Sequence, residues 1–98
     1  MGMTVIQLKE KTSVVARVAI EQTGEPLSES VRKALKNYFS QLQGEEPKDV
    51  YPMILAEVEL PLLEVVMKYT KNNQARTAIM LGLSRGNVRE KLKAYGML

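Results

Sequence analysis

Arg85, Arg89, Lys91 and Lys93 fall within nine residues near the C-terminal end of this 98-residue chain. With Lys71 and Arg76 they give residues 71–98 six basic side chains against one acid, Glu90, a local net charge of +5. A guanidinium can fork onto two acceptors at once, such as O6 and N7 of guanine, and an ammonium neutralises a phosphate as a point charge. The rest of the chain offers nothing comparable: residues 1–25 sum to zero and residues 26–70, with five bases and seven acids, to −2. A whole-chain charge of +3 therefore hides a segregated basic end beside a near-neutral body.

Other chemistry is excluded by residue type. The chain has no His, Cys or Trp, so imidazole catalysis, thiolate nucleophiles, disulfides and Cys/His zinc sites lack their atoms. Asp49 is the only Asp, and the ten Glu would need a pocket that so short a chain can hardly wall off. The expectation is a non-enzymatic protein without metal or cofactor. No apolar run approaches a membrane span and no secretory signal opens the chain. The absence of Cys fits the cytoplasm.

The basic end also has an organised spacing. Ala78 stands four residues before Gly82, Leu83 follows the glycine, and Val88 comes six after it, the pattern of a helix-turn-helix. Ala78 has no bulk where two steeply crossed helices touch, and Gly82 can take the left-handed conformation that ends the first helix. Leu81, Leu83, Val88 and Leu92 supply a small core, Asn72 or Asn73 can cap the first helix, and Ser84 the second. A second helix over 85–94 would enter the major groove of double-stranded DNA by its N-terminal turns, with Arg85 placed to read guanine and Arg89 one turn later. Ser84, Asn87, Lys91 and Lys93 flank that face, and Asn73, Gln74 and Arg76 stand where the first helix meets the backbone. For each the alternative is solvated surface. Glu90 repels phosphate unless it accepts from a cytosine amine or pairs with Arg89 or Lys93.

Two longer helices must carry this module. Val31, Leu35, Tyr38, Phe39 and Leu42 recur at spacings of three and four over 28–43, with Ser28 as a candidate N-cap. A second helix over 50–70, capped by Asp49 and kinked at Pro61, carries Ile54, Leu55, Val58, Leu62, Val65 and Val66 between Tyr51 and Tyr69, with Leu60, Leu63 and Met67 beside them. That stripe is wider than one partner helix can cover. A second copy of the chain closing a shared four-helix core is the economical solution, so a homodimer is expected.

Residues 1–26 read as a flexible arm. Thr12 to Ile20 is rich in β-branched residues and closed by Gly24 and Pro26, compatible with a β-hairpin but without an Asn-Gly or Asp-Gly pair to fix one. The expected organisation is all-α: this arm over 1–26, two dimerisation helices within 27–71, and a helix-turn-helix over 72–98, four helices per chain in an intertwined homodimer.

Val31-Arg32-Lys33-Ala34-Leu35-Lys36-Asn37-Tyr38-Phe39, Leu55-Ala56-Glu57-Val58-Glu59 followed by Pro61-Leu62-Leu63, and Asn73-Gln74, Gly82, Arg85-Gly86, Lys91-Leu92-Lys93 and Tyr95-Gly96 together resemble the Fis family of bacterial nucleoid-associated proteins, over essentially the whole chain. That resemblance implies an intertwined homodimer in the cytoplasm, associated with the nucleoid. Its two helix-turn-helix units would lie too close for straight DNA and would bend a degenerate site. It also implies roles in transcription regulation and recombination, a guanine contact for Arg85, and supporting contacts for Asn73, Gln74, Ser84, Asn87, Arg89, Lys91 and Lys93. A site-specific invertase or RNA polymerase would be further partners. Ala75, Ser84, Asn87, Glu90 and Ala94 depart from the family's commonest residues, two of them with loss of basic charge. A detached DNA-binding domain of the enhancer-binding activator type, or a helical adaptor without DNA binding, are the alternatives.

Overall fold

The computed structural model describes residues 5–98, with side chains from residue 14 onward. Five helices follow one another, α1 (Val5–Thr23), α2 (Leu27–Ser40), α3 (Val50–Tyr69), α4 (Gln74–Leu81) and α5 (Arg85–Ala94), and the described residues contain no strand. The chain is all-α. It divides into two compact units, Met1–Pro47 and Lys48–Leu98.

The additional helix is α1, which stands where the β-branched composition favoured an arm or hairpin. Residues 1–4 of the expected arm lie outside the described residues. For the remainder the physical reason is local: Val, Ile and Thr cost a helix at most about 0.7 kcal/mol each relative to Ala. No Gly or Pro interrupts residues 5–23, so nothing stops the helix before Gly24. There the backbone turns left-handed (φ +87°), and the Gly24 amide donates to the Ile20 carbonyl.

Glu25 ties this turn to α2. Its carboxylate accepts from Ser30 Oγ at 2.9 Å and from Lys33 Nζ at 2.5 Å, and these bonds, that of Lys33 first, hold its pKa below the ordinary carboxylate value. Ser28 is not the N-cap of α2. The helix begins one residue earlier, after Pro26, whose fixed φ of −66° suits a helix entrance. Val15 and Ala16 of α1 face Leu27, Ser28 and Val31 of α2 across an open apolar groove. Among residues 14–47 no side chain is fully buried: Val31, Leu35, Tyr38 and Leu42 are half-buried and Phe39 is exposed.

In the second unit Asp49 holds the N-cap position of α3, as expected, but without a side-chain cap. It is left-handed (φ 57°, ψ 31°) and its side chain accepts no helix amide, whereas a capping side chain reaches forward from an extended residue to an amide of the first turn. Helix α3 runs unbroken through Pro61. Its wide stripe divides into two faces. Leu63 and Met67 are buried against the C-terminal helices, while Val58, Leu62, Val65 and Tyr69 are exposed. The core thus rests on the residues that had looked like margins of the stripe. Ala78, Val88 and Leu92 complete it, with Leu81, Leu83, Tyr95 and Met97 packed around them.

Candidate nucleic-acid interface

Each end of the α4–α5 pair is fixed by a local signal. Asn73 is extended and its Oδ1 accepts the Arg76 amide at 3.0 Å; Ser84 is extended and its Oγ accepts the Asn87 amide at 3.1 Å. Each cap satisfies one of the amides a helix start leaves without a carbonyl. Between them Gly82 is left-handed (φ +73°), and the Leu83 amide reaches back to the Ala78 carbonyl at 3.0 Å. This closure turns the chain sharply and places Leu83 against the core. The same closure recurs after α5, where Gly96 (φ +69°) lets the Met97 amide reach the Leu92 carbonyl at 2.8 Å.

The interior of the module is nearly all apolar. Val88 and Leu92 are wholly buried, and α5 therefore has one fixed face. Two hydroxyls sit beside them: Thr70 Oγ1 and Thr77 Oγ1 lie 2.8 Å apart, joining the end of α3 to α4. Thr70 also donates to the Met67 carbonyl, and Thr77 approaches the Met67 sulfur at 3.3 Å.

With that face fixed, Arg85, Asn87, Arg89 and Lys93 are exposed, and among the described residues the three cations form no ion pair within the chain. Glu90 is exposed and pairs with neither Arg89 nor Lys93. Asn73 and Ser84 spend an acceptor on capping yet keep their own donors for a ligand. Gln74 is half-buried at the first turn of α4. Arg76 lies with its guanidinium 5.5 Å from the centre of the Tyr69 ring, a cation–π contact that steadies it at the α3–α4 corner.

Lys91 is placed differently. Its Nζ donates to Glu59 Oε2 at 2.6 Å, and Tyr95 Oη donates to the other oxygen of the same carboxylate, also at 2.6 Å. The pair is largely sheltered, with the Lys91 side chain 28% exposed and that of Glu59 18%. The bond from Lys91, then that from Tyr95, holds the Glu59 carboxyl below its ordinary range, while burial works the other way. Accepting from the phenol, Glu59 raises the Tyr95 pKa above its usual value. Glu59 had no place in the sequence-based site. Its available signal was a second spacing along α3 and the residue that closes it, Glu59, Leu63, Met67 and Thr70, matched by Lys91 on α5 and Tyr95 one turn later at that helix's end.

Comparison with known proteins agrees with this architecture. A model described as bacterial regulatory protein, Fis family, matches residues 54–95, and one described as DNA-binding protein Fis N-terminal domain matches residues 3–47. The protein named DNA-binding protein Fis from Actinobacillus succinogenes is 59% identical over 75 residues, which cover 76% of this chain and 76% of that protein. The chain belongs to the Fis family. Fis proteins of Escherichia coli O1:K1 and Klebsiella pneumoniae are each 57% identical over the same length and with the same coverage. The match over residues 3–47 lies in the Fis N-terminal part, which a detached helix-turn-helix module would not carry. No described helix is long and apolar enough to cross a membrane.

Proposed function

We propose that this Fis-family protein acts as a homodimer that binds double-stranded DNA through two helix-turn-helix units and bends it, serving as a nucleoid-associated regulator of transcription in the bacterial cytoplasm. The observation that carries this reading is the division of α5 into two faces. Val88 and Leu92 are fully buried, while Arg85, Arg89 and Lys93 stand exposed and without ion pairs at a helix whose start is capped by Ser84. A helix held in this way can enter a major groove with its cations available to bases and phosphates. The relatives' printed name, DNA-binding protein Fis, supports the same ligand.

Within this reading Arg85 reads guanine and Arg89 touches a base or a flanking phosphate. Ser84, Asn87 and Lys93 hold the backbone beside α5, and Asn73, Gln74 and Arg76 hold it at the start of α4. Dimerisation belongs to residues 27–71. Val58, Leu62 and Val65 of α3 are 43%, 46% and 68% exposed, and Phe39 of α2 is 47% exposed. A second copy would remove these from water together with Val31, Leu35, Tyr38, Leu42, Ile54, Leu55 and Val66, at roughly 25 cal/mol for each Å² of apolar surface. A site-specific invertase or RNA polymerase would be met by the DNA-bound dimer.

Anisotropy of a labelled duplex, titrated at about 50 and 200 mM salt, tests the DNA-binding reading: several phosphate contacts imply a loss of affinity on the order of 1,000-fold or more between the two. Sedimentation equilibrium of the free protein tests the dimer. Salt-insensitive or absent binding would remove the proposal.

A further inference from the structure

Lys91 of α5 and Tyr95, the residue that closes that helix one turn later, both end on the carboxylate of Glu59 in the middle of α3. This is the only ion pair between α3 and the helix-turn-helix among the described residues. Lys91 stands two residues from both Arg89 and Lys93, about 200° around the helix from each. Its ammonium is thus directed to α3, away from the side on which those cations are exposed. An ammonium sheltered against a carboxylate that also accepts from a phenol has its charge neutralised before any phosphate arrives.

We propose that Glu59 is a positioning residue for DNA binding: it holds Lys91 off the DNA backbone and, through Lys91 and Tyr95 together, fixes the attitude of the recognition helix on α3. The inference rests on the DNA-binding reading above. It converts one of the six C-terminal cations from a phosphate contact into a strut. The charge available to DNA in residues 71–98 is then smaller than the count of basic side chains suggests. It also means that α3, which carries the exposed dimer face, and α5, which carries Arg85, are joined by a polar tie as well as by the Leu63–Leu92 core.

The experiment measures duplex affinity as a function of salt, using a labelled duplex of fixed sequence, for the full-length protein and for Lys91→Met, Glu59→Gln and the double variant. Lys91→Met keeps the apolar stem of the side chain and leaves Tyr95 on the carboxylate. If Lys91 is withheld from phosphate, this variant has the wild-type slope of log affinity against log salt. Glu59→Gln frees the ammonium, so the slope steepens by about one for each protomer, and a dimer's loss of affinity between about 50 and 200 mM salt grows roughly tenfold. The double variant returns to the wild-type slope. Recovery in the double variant separates release of Lys91 from general damage to the fold, and far-UV circular dichroism of each protein checks the helices directly. A slope that falls by about one per protomer in Lys91→Met shows Lys91 on a phosphate and overturns the proposal. An unchanged slope in folded Glu59→Gln overturns it equally while leaving the DNA-binding reading intact. Failure of the wild type to bind any duplex removes both.

Discussion

Thr70 and Thr77 share a buried hydrogen bond of 2.8 Å across the corner between α3 and α4. Thr70 also reaches the Met67 carbonyl and Thr77 the Met67 sulfur, so either hydroxyl can supply the proton of the shared bond. Thr70→Val and Thr77→Val each remove this bond from a buried site and leave the other hydroxyl its own Met67 acceptor, so each should cost about 1–3 kcal/mol. Urea unfolding of the two variants measures both losses.

Gly82 provides a second test of the module. An added Cβ would meet nothing within 4 Å, so the effect of Gly82→Ala is conformational alone. Holding alanine in the left-handed region costs about 1–2 kcal/mol, and Gly82→Asn costs less because asparagine tolerates that region. Thermal melting of both variants should place them in that order below the wild type.

Local signals explain why this half of the chain was legible in advance. Asn73, Gly82 and Ser84 each act within five residues of their own position, so their residue types and spacing carried the helix-turn-helix almost completely. Glu59 reaches partners 32 and 36 residues away, so its spacing with Leu63 and Met67 on α3 names no partner until α3 and α5 are packed together. Helix α1 was missed for a different reason: β-branched residues predict strand only when another strand pairs with them, and here an uninterrupted segment forms a helix. Asp49 had the right residue type for a cap but the wrong backbone conformation.

Acid should weaken the tie between α3 and α5. The Glu59 carboxyl is held below its ordinary range by Lys91 and Tyr95, so its contribution is complete above the ordinary carboxylate pKa and is lost as the pH falls through the lowered value. Tyr95 moves the opposite way: its raised pKa keeps the phenol contribution intact below pH 10 and removes it as the pH climbs through the folded value. Melting temperatures measured from neutral pH into acid should fall less steeply for Glu59→Gln than for the wild type.

Specificity and general affinity should separate on α5. On the proposed reading Arg85→Ala removes a fork onto guanine, and each such contact is worth about 1–3 kcal/mol of discrimination, so preferred sites should lose roughly 5- to 150-fold more affinity than random duplex. Lys93→Ala weakens both about equally and lowers the salt slope by about one per protomer. Competition binding with preferred and random duplexes distinguishes the two patterns.

The proposed function stands or falls on bending by a dimer. Two recognition helices closer together than one repeat of DNA, about 34 Å, can enter successive major grooves only if the duplex curves towards them. Energy transfer between dyes at the two ends of a duplex of about 30 base pairs reports this directly. On binding one dimer the ends should approach each other, and high salt should reverse the change. Saturable binding with an unchanged end-to-end distance would contradict bending, and a complex of one chain per duplex would contradict the dimer.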